Sequence, residues 1–250
     1  MYQFFIEPEE IREDGIHILD PGNINHIRNV LRMKTGEKIR LCCQEKKREY
    51  LCRIREIRPE EILTDIEDID GENRELPCRI TLFQGLPKGE KMEWIIQKAV
   101  ELGVYQIVPV SMKRSIVKLD EKRQKKKVDR WNLIAESAAK QSGRNYIPRV
   151  TEICSFSRAV EEAFSMEAVL LPYEDARGIG HTRQVFSSMT GKESIGIFIG
   201  PEGGFEENEV ETIKEKGGYV VTLGHRILRT ETAGMTVLSI LMYLLEEDES

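Results

Sequence analysis

The segment Ser194-Ile195-Gly196-Ile197-Phe198-Ile199 runs without interruption into Gly200-Pro201-Glu202-Gly203-Gly204. A run of this apolar character predicts a buried strand. Glycine permits positive φ and a close approach of backbone to a flat ligand, so such a turn suits a site read by main-chain N–H and C=O groups. An acidic helix over 206–216 and a strand over 219–223 follow. Then come the loop Gly224-His225-Arg226-Ile227-Leu228-Arg229-Thr230-Glu231-Thr232 and a very apolar helix over 233–245. Two glycine-bearing loops therefore leave the ends of two strands, expected side by side in one sheet. In open α/β sheets that edge is where ligands bind. The first loop alone reads most plainly as a tight strand-to-helix turn. The second tips the balance, because Arg226 and Arg229 stand between apolar neighbours with Glu231 close by, and charges are seldom placed so without a partner.

The rest of the chain sorts into two parts. Up to residue 72 the pattern is β-rich, with strands expected at 37–42, 49–57 and 61–69 and one short helix at 23–31, which suggests a small barrel. The polar stretch 71–77 ends in Pro77 and reads as a junction, giving domains 1–72 and 73–250. Beyond it, strands at 80–83, 105–110 and 168–171 alternate with helices at 90–102, 121–141 and 157–164. That alternation is the mark of an α/β domain with a mainly parallel sheet.

Several function classes are excluded at this level. No G-x-x-x-x-G-K-[ST] or G-x-G-x-x-G pattern occurs, so neither a phosphate loop nor a dinucleotide fingerprint is present. The cysteines form no C-x-x-C pair, and His17, His26, His181 and His225 stand apart; free thiols in a reducing compartment and no metal site are expected. No apolar run approaches the ~20 residues of a membrane span. Glu7, Glu9 and Glu10 stand where a secretory signal would be basic and then apolar, so a cytoplasmic location is expected.

The formal net charge of −6 hides a segregation. Residues 1–72 hold 12 basic and 17 acidic side chains, residues 73–149 hold 17 and 8, and residues 150–250 hold 8 and 18. The middle third is thus a basic block in an acidic protein, densest at Lys122-Arg123-Gln124-Lys125-Lys126-Lys127, with Lys113, Arg114 and Lys118 upstream. Such a run is either a solvated helix face or a phosphate-binding surface. The helix at 233–245 is apolar over more than one face, so neighbouring elements or a second subunit must bury it.

Gly200-Pro201-Glu202-Gly203-Gly204-Phe205, Leu223-Gly224 and Leu228-Arg229-Thr230-Glu231-Thr232-Ala233 resemble the cofactor motifs of SPOUT methyltransferases, most closely the bacterial 16S rRNA uridine N3-methyltransferase family. The resemblance extends along the chain through His26 with Val30-Leu31-Arg32, Gly89-Glu90-Lys91-Met92-Glu93, Gln97-Lys98 with Glu101-Leu102-Gly103, and Gln141-Ser142-Gly143-Arg144. It implies a PUA-like RNA-binding barrel at 1–72 and a SPOUT domain with a trefoil knot at 73–250. It implies a homodimer and S-adenosylmethionine as methyl donor, acting on N3 of a uridine in 16S rRNA of the small ribosomal subunit. A relative acting on a ribose 2′-hydroxyl, or on another base of rRNA or tRNA, is the alternative.

In that frame the cofactor would lie against Leu171, Ile199, Gly200, Glu202, Gly203 and Gly204. The second loop would add Leu223, Gly224, Ile227, Leu228, Thr230, Thr232 and Ala233. Arg229, Arg226 and Glu231 are the candidates for chemistry. Arg28, Arg32, Lys88, Lys91, Arg114, Lys125, Lys126 and Arg144 are the candidates for RNA contact. Gln3 departs from the family, which often has Arg there.

Overall fold

The chain divides into two units, Met1–Glu75 with Ala139–Ile147 and Leu76–Ala138 with Pro148–Ser250. The structure, a computed structural model, describes residues 1–70, 74–115, 120–176 and 178–246. Lys118, most of the acidic tail and the start of the 71–77 stretch, residues 71–73, lie outside the described residues.

In the first unit, β1 (Tyr2–Phe5), β2 (Ile11–Arg12), β3 (Gly15–Ile18), β4 (Lys38–Cys43), β5 (Arg48–Ile57) and β6 (Ile62–Asp70) form one sheet in the order β1-β4-β5-β6-β3-β2. β1 runs parallel to β4, and the other pairs are antiparallel. Phe4, Ile16, Ile18, Ile39, Leu41 and Ile54 meet in its core. At Gly15 (φ +132) a Cβ would lie 2.1 Å from the Thr64 carbonyl oxygen. Only glycine lets β3 come so near β6.

The expected helix at 23–31 begins earlier, as α1 (Pro21–Asn25), and passes into a π-helical turn over His26–Val30. Asp20 caps it by accepting the Asn23 N–H at 2.7 Å, and Pro21 takes the first helical position. An Asp-Pro start is a standard helix signal, missed because the apolar period begins later. Arg28 donates to the Pro59 carbonyl at 2.9 Å, and Arg32 is exposed at φ +54.

Residues 139–147 join this unit through a polar network. The Arg144 Nε donates to both Glu75 carboxylate oxygens at 3.2 and 3.1 Å, and its Nη2 also bonds Glu75. Glu75 accepts the N–H groups of Asn145 and Tyr146 as well. Gln3 donates to the Arg144 carbonyl at 2.6 Å. Arg144, expected to contact RNA, is instead 5% exposed and serves as a buried cation tying a loop to the sheet. Sequence shows a charge but not what surrounds it. Arg144→Met is expected to cost about 3 kcal/mol of stability, because Glu75 loses its cation in a buried setting. A urea titration reads this directly; an unchanged midpoint would mark Arg144 as a surface residue.

The second unit alternates strand and helix: β7 (Arg79–Gly85), α2 (Lys91–Glu101), β8 (Gln106–Ser111), α3 (Glu121–Ser142), β9 (Arg149–Val150), β10 (Cys154–Ser155), α4 (Phe156–Ala163), β11 (Ala168–Pro172), α5 (Ile179–Ser187), β12 (Ser194–Ile199), α6 (Glu207–Glu215), β13 (Tyr219–Val221) and α7 (Thr230–Leu245). The last residues of α3 are counted with the first unit. The sheet order is β10-β8-β7-β12-β11-β13, with β9 beside β8, and its pairs are parallel. Parallel strands covered on both faces need nearly continuous apolar side chains, which is why 194–199 was legible. Phe83 and Phe198 stack at 4.7 Å across β7 and β12.

Two expectations change here. β12 and β13 are not neighbours, because β11 pairs with both. The last helix starts three residues earlier than expected and buries one stripe, Thr230, Gly234, Val237, Leu238, Leu241 and Leu245. Tyr243, on its other side, is 82% exposed. On α3, Trp131, Ala135 and Ala138 are buried while Lys122, Arg123, Lys125 and Lys126 are exposed.

Candidate active site

The C-terminal ends of β7, β12 and β13 carry the groups that the sequence singled out. After β12, Gly204 N–H donates to the Pro201 carbonyl at 2.9 Å and closes the glycine turn. Positive φ falls on Gly204 (+69), with open space where a Cβ would be. Gly203 is packed instead: a Cβ there would lie 3.0 Å from the Arg114 Cβ. Arg114, expected to meet RNA, donates to the Gly203 carbonyl at 3.0 Å and to Glu206 at 2.7 Å. The Glu206 pairing raises its already high pKa. Arg114 thus braces the turn.

After β13, the Thr222 hydroxyl bonds both the N–H and the carbonyl of Gly224 at 3.2 Å. Thr182 of α5 holds the Thr222 main chain from the other side, at 2.9 and 3.1 Å. Gly224 has φ +112 and, like Gly204, open space at the Cβ position. Among the described residues, the main-chain N–H and C=O groups of Leu223 and of His225 through Leu228 have no hydrogen-bond partner. A run of unpartnered main-chain groups beside a positive-φ glycine suits a flat ligand with a hydrogen-bonding edge.

The loops meet although their strands do not. Thr230, in the first turn of α7, donates its hydroxyl to the Gly200 carbonyl at 2.6 Å, and the Gln84 side-chain amide donates to that hydroxyl at 2.9 Å. Gln84 is fully buried, a polar residue closing the apolar run Ile80-Thr81-Leu82-Phe83. An amide at the end of a mainly apolar strand was the available signal, and sequence reasoning passed over it.

The charged residues separate into two sets. Lys91 Nζ lies 2.9 Å from Glu202 and 3.6 Å from Glu231, and both Glu202 oxygens accept the Lys88 N–H. The bond from Glu202 raises the Lys91 pKa. Burial pushes the Glu202 carboxyl up, but bonds from Lys91, its own N–H and the Lys88 N–H outweigh this and hold it below the usual range. Arg226 and Arg229, by contrast, are exposed, and their guanidinium groups have no hydrogen-bond or ion-pair partner among the described residues. Arg229 occupies the N-cap of α7, where the helix dipole and free N–H groups favour an anion.

Other expected positions are placed differently. Leu171 and Ile199 have side chains 0% and 2% exposed, so neither side chain is available to cover a ligand. Leu223, Leu228, Glu231 and Ala233 are half-buried, Thr232 is exposed, and Ile227 is 85% exposed.

The end of β7 is fitted tightly to the glycine turn. A Cβ on Gly85 would lie 2.6 Å from Pro201 Cδ and 2.7 Å from its nitrogen. Gly85→Ala is therefore expected to destabilise by about 1–3 kcal/mol through overpacking, measured by chemical denaturation. Unchanged stability would mean that the turn yields freely.

The comparisons agree along the chain. A family model for an RNA methyltransferase domain matches residues 74–242, and one for an RNA methyltransferase PUA domain matches residues 19–67. The chain is 39% identical to the ribosomal RNA small subunit methyltransferase E of Bacillus subtilis, over 98% of each. A crystal structure of the Neisseria gonorrhoeae methyltransferase of the same name, bound to S-adenosyl methionine, superposes with a TM-score of 0.81 at 33% identity over 98% of each chain. A Legionella pneumophila protein solved with the bound cofactor SAM gives 0.82 at 31% identity over 97% of each. The unpartnered loop groups lie within the span matched by the first model, and the mostly antiparallel sheet overlaps the span of the second. By both domains, the chain belongs to the RNA methyltransferase family with a PUA domain.

Proposed function

We propose that this protein methylates N3 of a uridine in the 16S RNA of the small ribosomal subunit, with S-adenosylmethionine as the donor. The observation that carries the reading is the joining of two loops, by the Thr230–Gly200 hydrogen bond, beside two unpartnered arginines. The cofactor fits what the loops offer. Leu223, Gly224, Ile227 and Leu228 would hold the flat base through main-chain groups. Gly200, Glu202, Gly203 and Gly204 would receive the sugar and methionine portion, with Thr230, Thr232 and Ala233 at the adjoining helix start. When bound, the cofactor supplies a methyl group already activated on a sulfonium.

The protein's work is alignment and charge. The uracil N3–H is a weak acid and must lose its proton as the N–C bond forms. Arg229, with Arg226 beside it, presents planar donors to the anionic uracil edge. Glu231 is the carboxylate to which this reading assigns the proton, with Glu202 the other carboxylate available. Its Oε2 receives no hydrogen bond and lies 3.6 Å from the Lys91 ammonium, which favours the carboxylate form that a proton acceptor needs.

The exposed Lys125 and Lys126 of α3, with Arg28 and Arg32 of the first unit, form the RNA-binding set of this reading. The reading also includes a homodimer that covers the open side of α7, a trefoil knot holding the two loops, and a cytoplasmic site of action.

Nucleoside mass spectrometry of rRNA from a deletion strain, with and without the gene restored, tests the target. Loss and return of 3-methyluridine in 16S RNA supports it, whereas loss of a 2′-O-methylated nucleoside would select the ribose instead. Arg229→Lys keeps the charge but removes the planar fork. It is expected to lower single-turnover methylation about tenfold or more while leaving thermal stability intact, because a charged hydrogen bond is worth roughly 1.5–3 kcal/mol. Lost stability with a normal rate in the folded fraction would make Arg229 a structural residue.

A further inference from the structure

Residues 84–91 reach both loops by two separate routes. Gln84, at the end of β7, bonds Thr230, which bonds Gly200. Seven residues later Lys91 opens α2 and lies between Glu202 of the glycine turn and Glu231 of α7, at 2.9 and 3.6 Å. Glu202 is fastened to the same segment a second time, since its two oxygens accept the Lys88 N–H at 3.1 and 3.2 Å. Lys91 is thus an ammonium shared by one carboxylate from each loop.

This environment is wrong for a phosphate contact. With both carboxylates ionised, the three side chains sum to one negative charge, which repels a phosphate and leaves the lysine little charge to offer it. The trio instead resists any movement that separates the glycine turn from the start of α7. We propose that Lys91 is a positioning residue of the cofactor site, its ammonium clamping the two loops together through Glu202 and Glu231 so that they bind S-adenosylmethionine as one preformed surface. Preorganisation of this kind raises affinity by removing the cost of ordering the loops when the ligand arrives.

The proposal rests on the functional reading above, and calorimetry on the full-length protein separates the two. If the unmodified protein does not bind S-adenosylmethionine, the functional reading fails first. If it binds, Lys91→Met is expected to raise the Kd roughly tenfold, as expected for loss of one charge-assisted hydrogen bond. Lys91→Arg should restore most of that affinity. The salt dependence of RNA binding should not change. An unaltered Kd together with a shallower RNA salt slope would overturn the clamp and make Lys91 an RNA contact. Equal loss of affinity and thermal stability in Lys91→Met and Lys91→Arg would also overturn it.

Discussion

A buried hydroxyl holds the site together. Thr230 donates to the Gly200 carbonyl at 2.6 Å and accepts from Gln84 at 2.9 Å, so three strand-end segments share one hydrogen-bonded atom. β12 and β13 are separated by β11, and two strand spacings amount to roughly 10 Å. Without a tie across that gap, the two loops would be independent turns. A carbonyl leaving a strand end also needs a donor if it is to be buried, and Thr230 meets that need. Beginning α7 at Thr230 therefore satisfies a strand end and brings a helix N-terminus to the glycine turn.

The electrostatics follow from this scaffold. Arg144 and Lys91 carry the same sign as Arg226 and Arg229, yet their surroundings give them opposite uses. Arg144 is buried against Glu75, and Lys91 is shared between two carboxylates. Their charge is consumed within the protein, where it fixes geometry. Arg226 and Arg229 remain exposed beside the loop whose main-chain groups lack partners. A neutralised cation is structural, whereas one left unneutralised beside open hydrogen-bonding backbone keeps its charge at the surface.

The basic run of α3 divides in the same way. Lys127 lies over the Trp131 ring at 5.8 Å and Arg130 pairs with Glu93 at 2.7 Å, while Lys125 and Lys126 are exposed. Part of an apparent charge patch is thus used to fasten α3, and the remainder is exposed to solvent. α7 shows an apolar counterpart, with one stripe in the core and Tyr243 turned outward.

What the sequence determined by itself was local. Apolar runs of strand length marked β12, β7 and β11, and the polar, charge-rich segments alternating with them marked α2, α3 and α6, because backbone hydrogen bonding and side-chain patterning act over a few residues. The glycine turn and the two arginines of the second loop were legible for the same reason: their composition is unusual at short range. Strand order, and hence the gap bridged by Thr230, was settled only when β11 paired with both β12 and β13. Partnership was likewise tertiary. Glu75 lies 69 residues from Arg144, and Glu202 and Glu231 lie far along the chain from Lys91. Whether a charge serves structure or a ligand depends on its neighbours in space, and a linear pattern records only its neighbours along the chain.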